Sequence, residues 1–242
     1  MQVYLIRHAQ SENNATWDKN NGAKYRVADP KLTELGISQA KATAEFLTET
    51  HPDQETYWVD PQNVCGFGIT QMYCSLMERA VQTGTIISQK LGVPLAGRLD
   101  LHEVGGIYLK ELVDEKEQIR ILHGHTREYF VKKYSSLILP EGIEARGWWR
   151  GGMETAEEKI QRAEQVIDFL LQKHGGTDDR IGVITHGGAY KQIFRVLFKV
   201  APKTIFTVLL NNCSITRLDF NENGVTLMYQ NRVDFLPPGL IT

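Results

Sequence analysis

Residues 3–14 read VYLIRHAQSENN, and the reading of this stretch decides the fold. Val3, Tyr4, Leu5 and Ile6 are an apolar run rich in β-branched and aromatic types, as a buried strand requires. The run ends in Arg7 and His8 and turns polar through Gln10, Ser11, Glu12, Asn13 and Asn14. In an open α/β sheet, ligands bind beyond the carboxyl ends of the strands. A strand that runs out into Arg-His therefore delivers a cation and an imidazole to the usual place of chemistry. Taken alone, the pair reads as readily as a plain surface dipeptide, so its weight has to come from the rest of the chain.

Working outward, the segment from Thr16 to Pro30 is polar, centres on Asn20, Asn21 and Gly22, and reads as a loop. Thr33 is placed to cap a helix whose apolar stripe is Leu35, Ala40, Ala44, Phe46 and Leu47. An irregular stretch with Tyr57 and Trp58 follows, and Gly66-Phe67-Gly68 within it reads as a loop because the third glycine of a dinucleotide motif is missing. Ile69 to Cys74 is a second strand, and the helix after it carries Arg79, Ala80, Val81, Thr83, Ile86 and Ile87. Leu95 to Leu99 is a third strand, with Leu101-His102-Glu103 just past its end. Thr155 and Glu158 form a capping box for a helix that Gly175 and Gly176 stop. Ile181 to Thr185 is a buried strand ending in His186-Gly187-Gly188, and two last strands lie near Ser214 to Phe220 and Val225 to Gln230. The alternation predicts a single α/β domain. It is interrupted from about Val104 to Gly152, where Leu112, Ile119, Leu122, Tyr129, Phe130 and Val131 allow one or two helices. So long an excursion reads as an inserted cap.

Composition narrows the partners. A hydrophobic content of 42% and a charged content of 23% are those of an ordinary globular chain able to bury a core. The net charge of -2, without a basic or acidic tail, argues against nucleic acid and anionic membrane as partners. Cys65, Cys74 and Cys213 are sparse and lack metal-ligand spacing, which fits a reducing compartment. With no apolar run of membrane-spanning length and no secretory pattern, a cytoplasmic protein is expected. The oligomeric state is left open, a homodimer included.

Five ordered motifs then give the opening stretch its weight. Arg7-His8-Ala9-Gln10-Ser11 with Asn14, Leu32-Thr33 with Gly36 and Gln39-Ala40, and Cys74-Ser75 with Arg79-Ala80 and Gln82-Thr83 follow one another. Leu101-His102-Glu103 and Thr185-His186-Gly187-Gly188 complete the set, and Asn212-Cys213-Ser214 lies near the end. Together they resemble the histidine phosphatase superfamily, in its phosphoglycerate-mutase-like branch. The resemblance implies a three-layer α/β/α sandwich on a mixed, mostly parallel sheet. It implies His8 as a nucleophile that takes the phosphoryl group, with Arg7, Arg79, His186 and Asn14 around the phosphoryl oxygens. Glu103 would serve as proton donor and then base. Gln10 at the pocket edge and Gly187 beside His186 would add phosphate contacts. No cofactor and no metal are implied. The expected activity is hydrolysis of a small phosphorylated metabolite or sugar phosphate, with a phosphoglycerate-type mutase or a silent phospho-ligand binder as alternatives.

Each residue alone has a plainer reading: Arg79 as a solvated helix residue, Glu103 as a surface carboxylate, His186 as a packed or capping histidine. The departures from the family pattern also carry expectations. Ala9 stands where the family has glycine, which puts a methyl beside the nucleophile. Val104-Gly105-Gly106-Ile107-Tyr108 lacks the Arg-His-Tyr-Gly run of the glycolytic mutases, which leans the reading towards hydrolysis. Arg120, Arg127, Lys132, Lys133, Arg146 and Arg150 are candidate clamps for a second anionic group. His123-Gly124-His125 reads as a surface turn, and Trp148-Trp149 as packing.

Overall fold

The computed structural model describes residues 1–17, 26–51, 53–54, 59–113 and 116–242. The loop centre Asn20 to Gly22 and the aromatics Tyr57 and Trp58 lie outside those residues. In chain order the elements are β1 (Gln2–Arg7), α1 (Glu12–Trp17), α2 (Glu34–Thr48), β2 (Gln71–Ser75), α3 (Glu78–Leu91) and β3 (Leu95–Arg98). Then come β4 (Tyr108–Val113), β5 (Lys116–Ile121), α4 (Arg127–Lys133), β6 (Leu137–Ile138), α5 (Ala156–His174) and β7 (Arg180–Thr185). The chain ends with α6 (Gly187–Leu197), β8 (Ile215–Asn221) and β9 (Gly224–Arg232).

Seven strands form one sheet in the order β6-β3-β2-β7-β1-β8-β9. The first five run parallel, while β8 pairs antiparallel with β1 and β9 with β8. β1 is therefore central and must be apolar on both faces. Tyr4 and Ile6 face a core shared with Ala44 and Leu47 of α2 and Ala80, Val81 and Ile87 of α3. Val3 and Leu5 face the opposite core with Ala163, Val166 and Leu170 of α5 and Tyr190 and Ile193 of α6. This is the expected three-layer α/β/α sandwich. Burial of each such side chain contributes roughly 1.5–3 kcal/mol.

The local signals act as read. The Thr33 hydroxyl accepts the Gly36 N–H at the start of α2. Thr155 and Glu158 close a reciprocal capping box on α5. Two elements differ. Residues 108–113 and 116–121 pair as antiparallel strands instead of forming a helix, because short apolar runs do not separate the two periods. α1 takes in Thr16 and Trp17 of the segment read as a loop; its six residues, ENNATW, offer no apolar stripe. The excursion also returns to the main body, since β6 pairs parallel with β3 at the sheet edge. Phe130, Tyr134, Trp148 and Trp149 lie in the core shared with α2 and α3, so the tryptophans pack as expected.

Candidate active site

The register of β1 against β7 builds the centre of the site. Arg7 stands opposite Thr185, and the His8 N–H donates to the Thr185 carbonyl at 3.0 Å. His8 and His186, the next residue of each strand, thus come side by side with ring centroids 5.0 Å apart. Arg79 arrives from the first turn of α3 and donates its Nε–H to His8 Nε2 at 3.1 Å.

His8 is buried, and its Nδ1 lies 2.8 Å from the Ala9 carbonyl. A carbonyl only accepts, so Nδ1 carries the proton and Nε2 carries the lone pair. Burial, followed by the Arg79 and Arg7 charges, holds the His8 pKa well below the usual histidine value. The ring is a neutral imidazole with a lone pair towards Arg79. His186 is fully buried, and neither ring nitrogen has a hydrogen-bond partner among the described residues. Its pKa is also held well below the usual value, by burial first and then by Arg79 and His8.

Arg7 donates through Nη1 to the Leu210 carbonyl, while its buried Nε has no partner. Burial lowers the pKa of Arg7 and of Arg79, opposed for Arg7 by Glu103 and for Arg79 by Asp29 and then Glu103.

Glu103 follows a short 3-10 turn, Leu99–Leu101, at the end of β3. Its Oε2 accepts the Gly188 N–H at 3.1 Å, and its Oε1 accepts Ala189 N–H at 3.0 Å and Val104 N–H at 2.7 Å. The unpaired N–H groups that open α6 thus hold the carboxylate. This needs a glycine, because a Cβ at Gly188 would stand 2.3 Å from Glu103 Oε1. Behind Glu103, the buried His102 sets its Nδ1 2.8 Å from the Glu103 carbonyl and its ring edge-on to Trp149. Burial, followed by the Arg162 charge, pushes His102 down to about 4. Glu154 binds Arg162 Nε at 2.6 Å and Gly105 N–H at 3.1 Å, which ties this loop to α5.

Asn14, on α1, accepts through Oδ1 from the Ser11 N–H at 3.0 Å and the Ser11 hydroxyl at 2.9 Å. Its NH₂ is left as the polar group to face the cavity. Asn212 donates to the His8 carbonyl at 2.9 Å and so braces the nucleophile loop.

A cavity of about 270 Å³ opens over these groups, with Arg7, His8, Asn14, Arg79 and Glu103 on its wall. His186 stands directly behind His8 and not on the wall. Gln10 is not brought to the cavity, because its Oε1 accepts the Thr33 hydroxyl at 2.7 Å and it serves the α2 cap. Gly187 does not line it either, and the amides that follow it are taken by Glu103. The Ala9 methyl packs with Leu32, Ala40 and Cys213, away from the cavity, so it does not tighten the pocket.

None of the six candidate clamps lines the cavity. Arg120 pairs with Glu111 at 2.8 Å, Arg150 with Glu144 at 2.6 Å, Lys133 with Glu78, and Arg127 donates to the Pro140 carbonyl. The outer wall is formed instead by Arg26, Asn13 and Tyr108, with the Arg26 guanidinium 5.7 Å from the Tyr108 ring centre. Arg26 lies in the segment read as a loop, and no motif marks it.

The model of the histidine phosphatase superfamily (branch 1) matches residues 3–232. The chain belongs to that superfamily. A superfamily relative from Hydrogenobacter thermophilus, named "Putative phosphoserine phosphatase 2", is 24% identical over 234 residues, 96% of each chain. "Probable phosphoglycerate mutase GpmB" from Yersinia enterocolitica is also 24% identical, over 92% of this chain and 86% of its own. Among solved structures, phosphoserine phosphatase from Entamoeba histolytica in complex with 3-phosphoglyceric acid aligns with a TM-score of 0.59 at 21% identity, covering 98% of this chain and 99% of that one. As a histidine phosphatase superfamily fold, the sheet brings four of the five expected catalytic side chains to one cavity and the fifth, His186, to its back.

Proposed function

We propose that this histidine phosphatase superfamily member hydrolyses small phosphomonoesters, without a metal, through a phosphohistidine on His8. The observation that carries the reading is one cavity lined by a neutral imidazole, three guanidinia (Arg7 and Arg79 beside His8, Arg26 on the outer wall) and, among the described residues, a single carboxylate, Glu103. In the first step His8 Nε2 attacks phosphorus, and a phosphoryl oxygen draws off the Arg79 Nε–H that now occupies the lone pair. The ester P–O bond breaks and the alcohol leaves with a proton from Glu103. In the second step water gives a proton to Glu103 and attacks phosphorus, the N–P bond breaks, and inorganic phosphate departs. Arg7, Arg79 and Asn14 stabilise the transferring group by charge and hydrogen bonds, which is most of what phosphoryl transfer needs. His186, unpartnered behind His8, is available to a phosphoryl oxygen once transfer brings it close.

Hydrolysis is preferred to the mutase because Val104, Gly106 and Tyr108 form the cavity wall at that point and contribute no cation to retain an intermediate. Arg26 is the group we assign to a second anionic group of the substrate, a carboxylate or another phosphate. Compounds of that kind, phosphoserine and 3-phosphoglycerate among them, are the substrate class proposed. A cytoplasmic location accords with this class and with the scarcity of cysteine. No helix among the described residues is long and apolar enough to cross a membrane. The test is phosphate release from a panel of phosphorylated metabolites in the presence of a chelator. Release with an acid-labile phosphoenzyme on rapid quench is expected. Isomerisation of a phosphoglycerate without release would replace the reading by the mutase, and binding without either would replace it by the silent binder.

A further inference from the structure

The support of Arg79 contains two buried carboxylates that the reaction does not use. Asp29 Oδ1 accepts the Glu78 N–H at 3.0 Å and stands 3.9 Å from Arg79 Nη1, too long for a direct hydrogen bond. Glu78 Oε1 accepts from the Tyr134 hydroxyl at 2.6 Å and from Lys133. The other oxygen of each, Asp29 Oδ2 and Glu78 Oε2, is buried without a hydrogen-bond partner. Both point at one atom. His125 Nε2, borne by the excursion, lies 4.0 Å from Asp29 Oδ2 and 3.6 Å from Glu78 Oε2. The His125 ring is fixed by stacking on Tyr129, with centroids 3.6 Å apart and planes 7° from parallel. The segment read as a surface turn thus faces the base of the catalytic arginine. Among the described residues no group of three His, Cys, Asp or Glu side chains is arranged to hold a metal ion.

A carboxylate buried beside a guanidinium should close on it, since a charge-assisted pair strengthens as water is excluded. Closure would turn Arg79 away from the phosphoryl group and neutralise it. In this structure Asp29 stays back, held by the Glu78 N–H on one oxygen and facing His125 with the other. We propose that His125 is a positioning residue: its Nε2, facing Glu78 at 3.6 Å and Asp29 at 4.0 Å without a direct hydrogen bond in this structure, serves as donor to the two carboxylates and so leaves the Arg79 guanidinium to the phosphate. The inference rests on the reading of Arg79 as a phosphate ligand. The titratable and charged groups that face the ring are Asp29, Glu78 from α3, and Tyr129 and Lys133 from α4; beyond them Arg79 stands beside Asp29, Tyr134 bonds Glu78, and the Arg26 charge acts on Arg79. Burial raises Asp29 to about 6, so Asp29 can neutralise Arg79 above that pH and loses the ability below it.

The experiment measures inorganic phosphate binding to the full chain by calorimetry at pH 7.5 and pH 5.5, taking variant-to-wild-type ratios so that the titration of phosphate itself cancels. His125→Phe keeps the stacking and removes the donor. It should weaken binding about tenfold at pH 7.5, the size of one charge-assisted contact, and by little at pH 5.5. Adding Asp29→Asn should restore binding at pH 7.5, and His125→Gln, which keeps an N–H donor, should stay near wild type. A defect equal at both pH values and not relieved by Asp29→Asn would show that the ring is packing only and overturn the proposal, as would no defect at all. Should His125→Phe fail to fold, Asp29→Asn alone decides: binding at least as tight as wild type supports restraint, and weaker binding refutes it. Failure of the hydrolase reading is separately visible, as phosphate binding without turnover of any ester.

Discussion

The two walls of the cavity are built on different principles. The inner wall consists of strand ends and a helix start: Arg7 and His8 close β1, Arg79 opens α3, and Glu103 is clamped by the first amides of α6. His8 and Arg79 are buried, Arg7 and Glu103 partly so, and their places follow from the strands and helices that carry them. The outer wall consists of Arg26, Asn13 and Tyr108, from a loop, a six-residue helix and the rim of a hairpin. The seven-stranded sheet does not reach it, and only Tyr108 is held by strand pairing, opposite Ile121. The contrast assigns bond-making to the rigid side and choice of substrate to the adaptable side, which is the usual division between scaffold and loops.

The largest expected effect tests the inner wall. Replacing His8 by Ala removes the atom that forms the bond, and kcat should fall by at least about 10⁴-fold with the fold retained. Survival of turnover would falsify the phosphohistidine route. The same residue gives a pH prediction with a definite sign. Its pKa is held well below the usual 6.5, so the neutral nucleophile persists as pH falls and the acid limb of kcat/KM lies below pH 6.5. In Arg79→Ala one of the charges that depress it is gone, so an NMR titration of the His8 ring should move upward. No movement would mean that burial alone sets the value.

Glu103 comes next. Glu103→Gln keeps the shape but supplies no acid, and a loss of about 10²–10³ in kcat is expected for esters with poor leaving groups. Aryl phosphates, whose leaving groups need less protonation, should lose far less. Equal losses on both would assign Glu103 to holding the loop instead of proton transfer.

The same division explains what could be read beforehand. The apolar runs of β1, β2 and β7, the Thr33 cap and the Thr155–Glu158 box are local signals, and each acts locally. His8, Glu103 and His186 follow strand ends, which converge in a parallel sheet, while Arg79 and the roles of all four came with the resemblance to the family. Gln10 was misplaced because its side chain serves the cap of α2, a contact across 23 residues that no motif reveals. Arg26 was missed because a loop residue acquires its neighbours only through tertiary closure. His125 was taken for surface because its partners, Asp29 and Glu78, are distant in sequence and flank Arg79 only after folding.

A smaller effect probes the outer wall. Arg26→Ala should raise KM about tenfold for a substrate with a second anionic group, the value of one hydrogen-bonded charge, and leave kcat nearly unchanged. For an uncharged alcohol portion or an aryl phosphate KM should hardly move. A uniform rise for both kinds would place Arg26 at the transferred phosphoryl group and merge the two walls into one.

The smallest expected effect is an absence, and it fixes where the outer wall stops. Arg146 and Arg150 are cations of the excursion, but neither lines the cavity, and Arg150 already pairs with Glu144 at 2.6 Å with both side chains about half exposed. An exposed pair of that kind contributes about 0–1 kcal/mol to stability and, away from the substrate, nothing to binding. Arg146→Ala and Arg150→Ala should therefore leave kcat/KM within about twofold for every substrate, since screening at ordinary salt weakens their field across the intervening distance. If either variant lost tenfold on a bisanionic substrate alone, the excursion would have to fold over the cavity when substrate binds. Arg26 would then share the second anion with it, and the adaptable wall would extend to the excursion's far end.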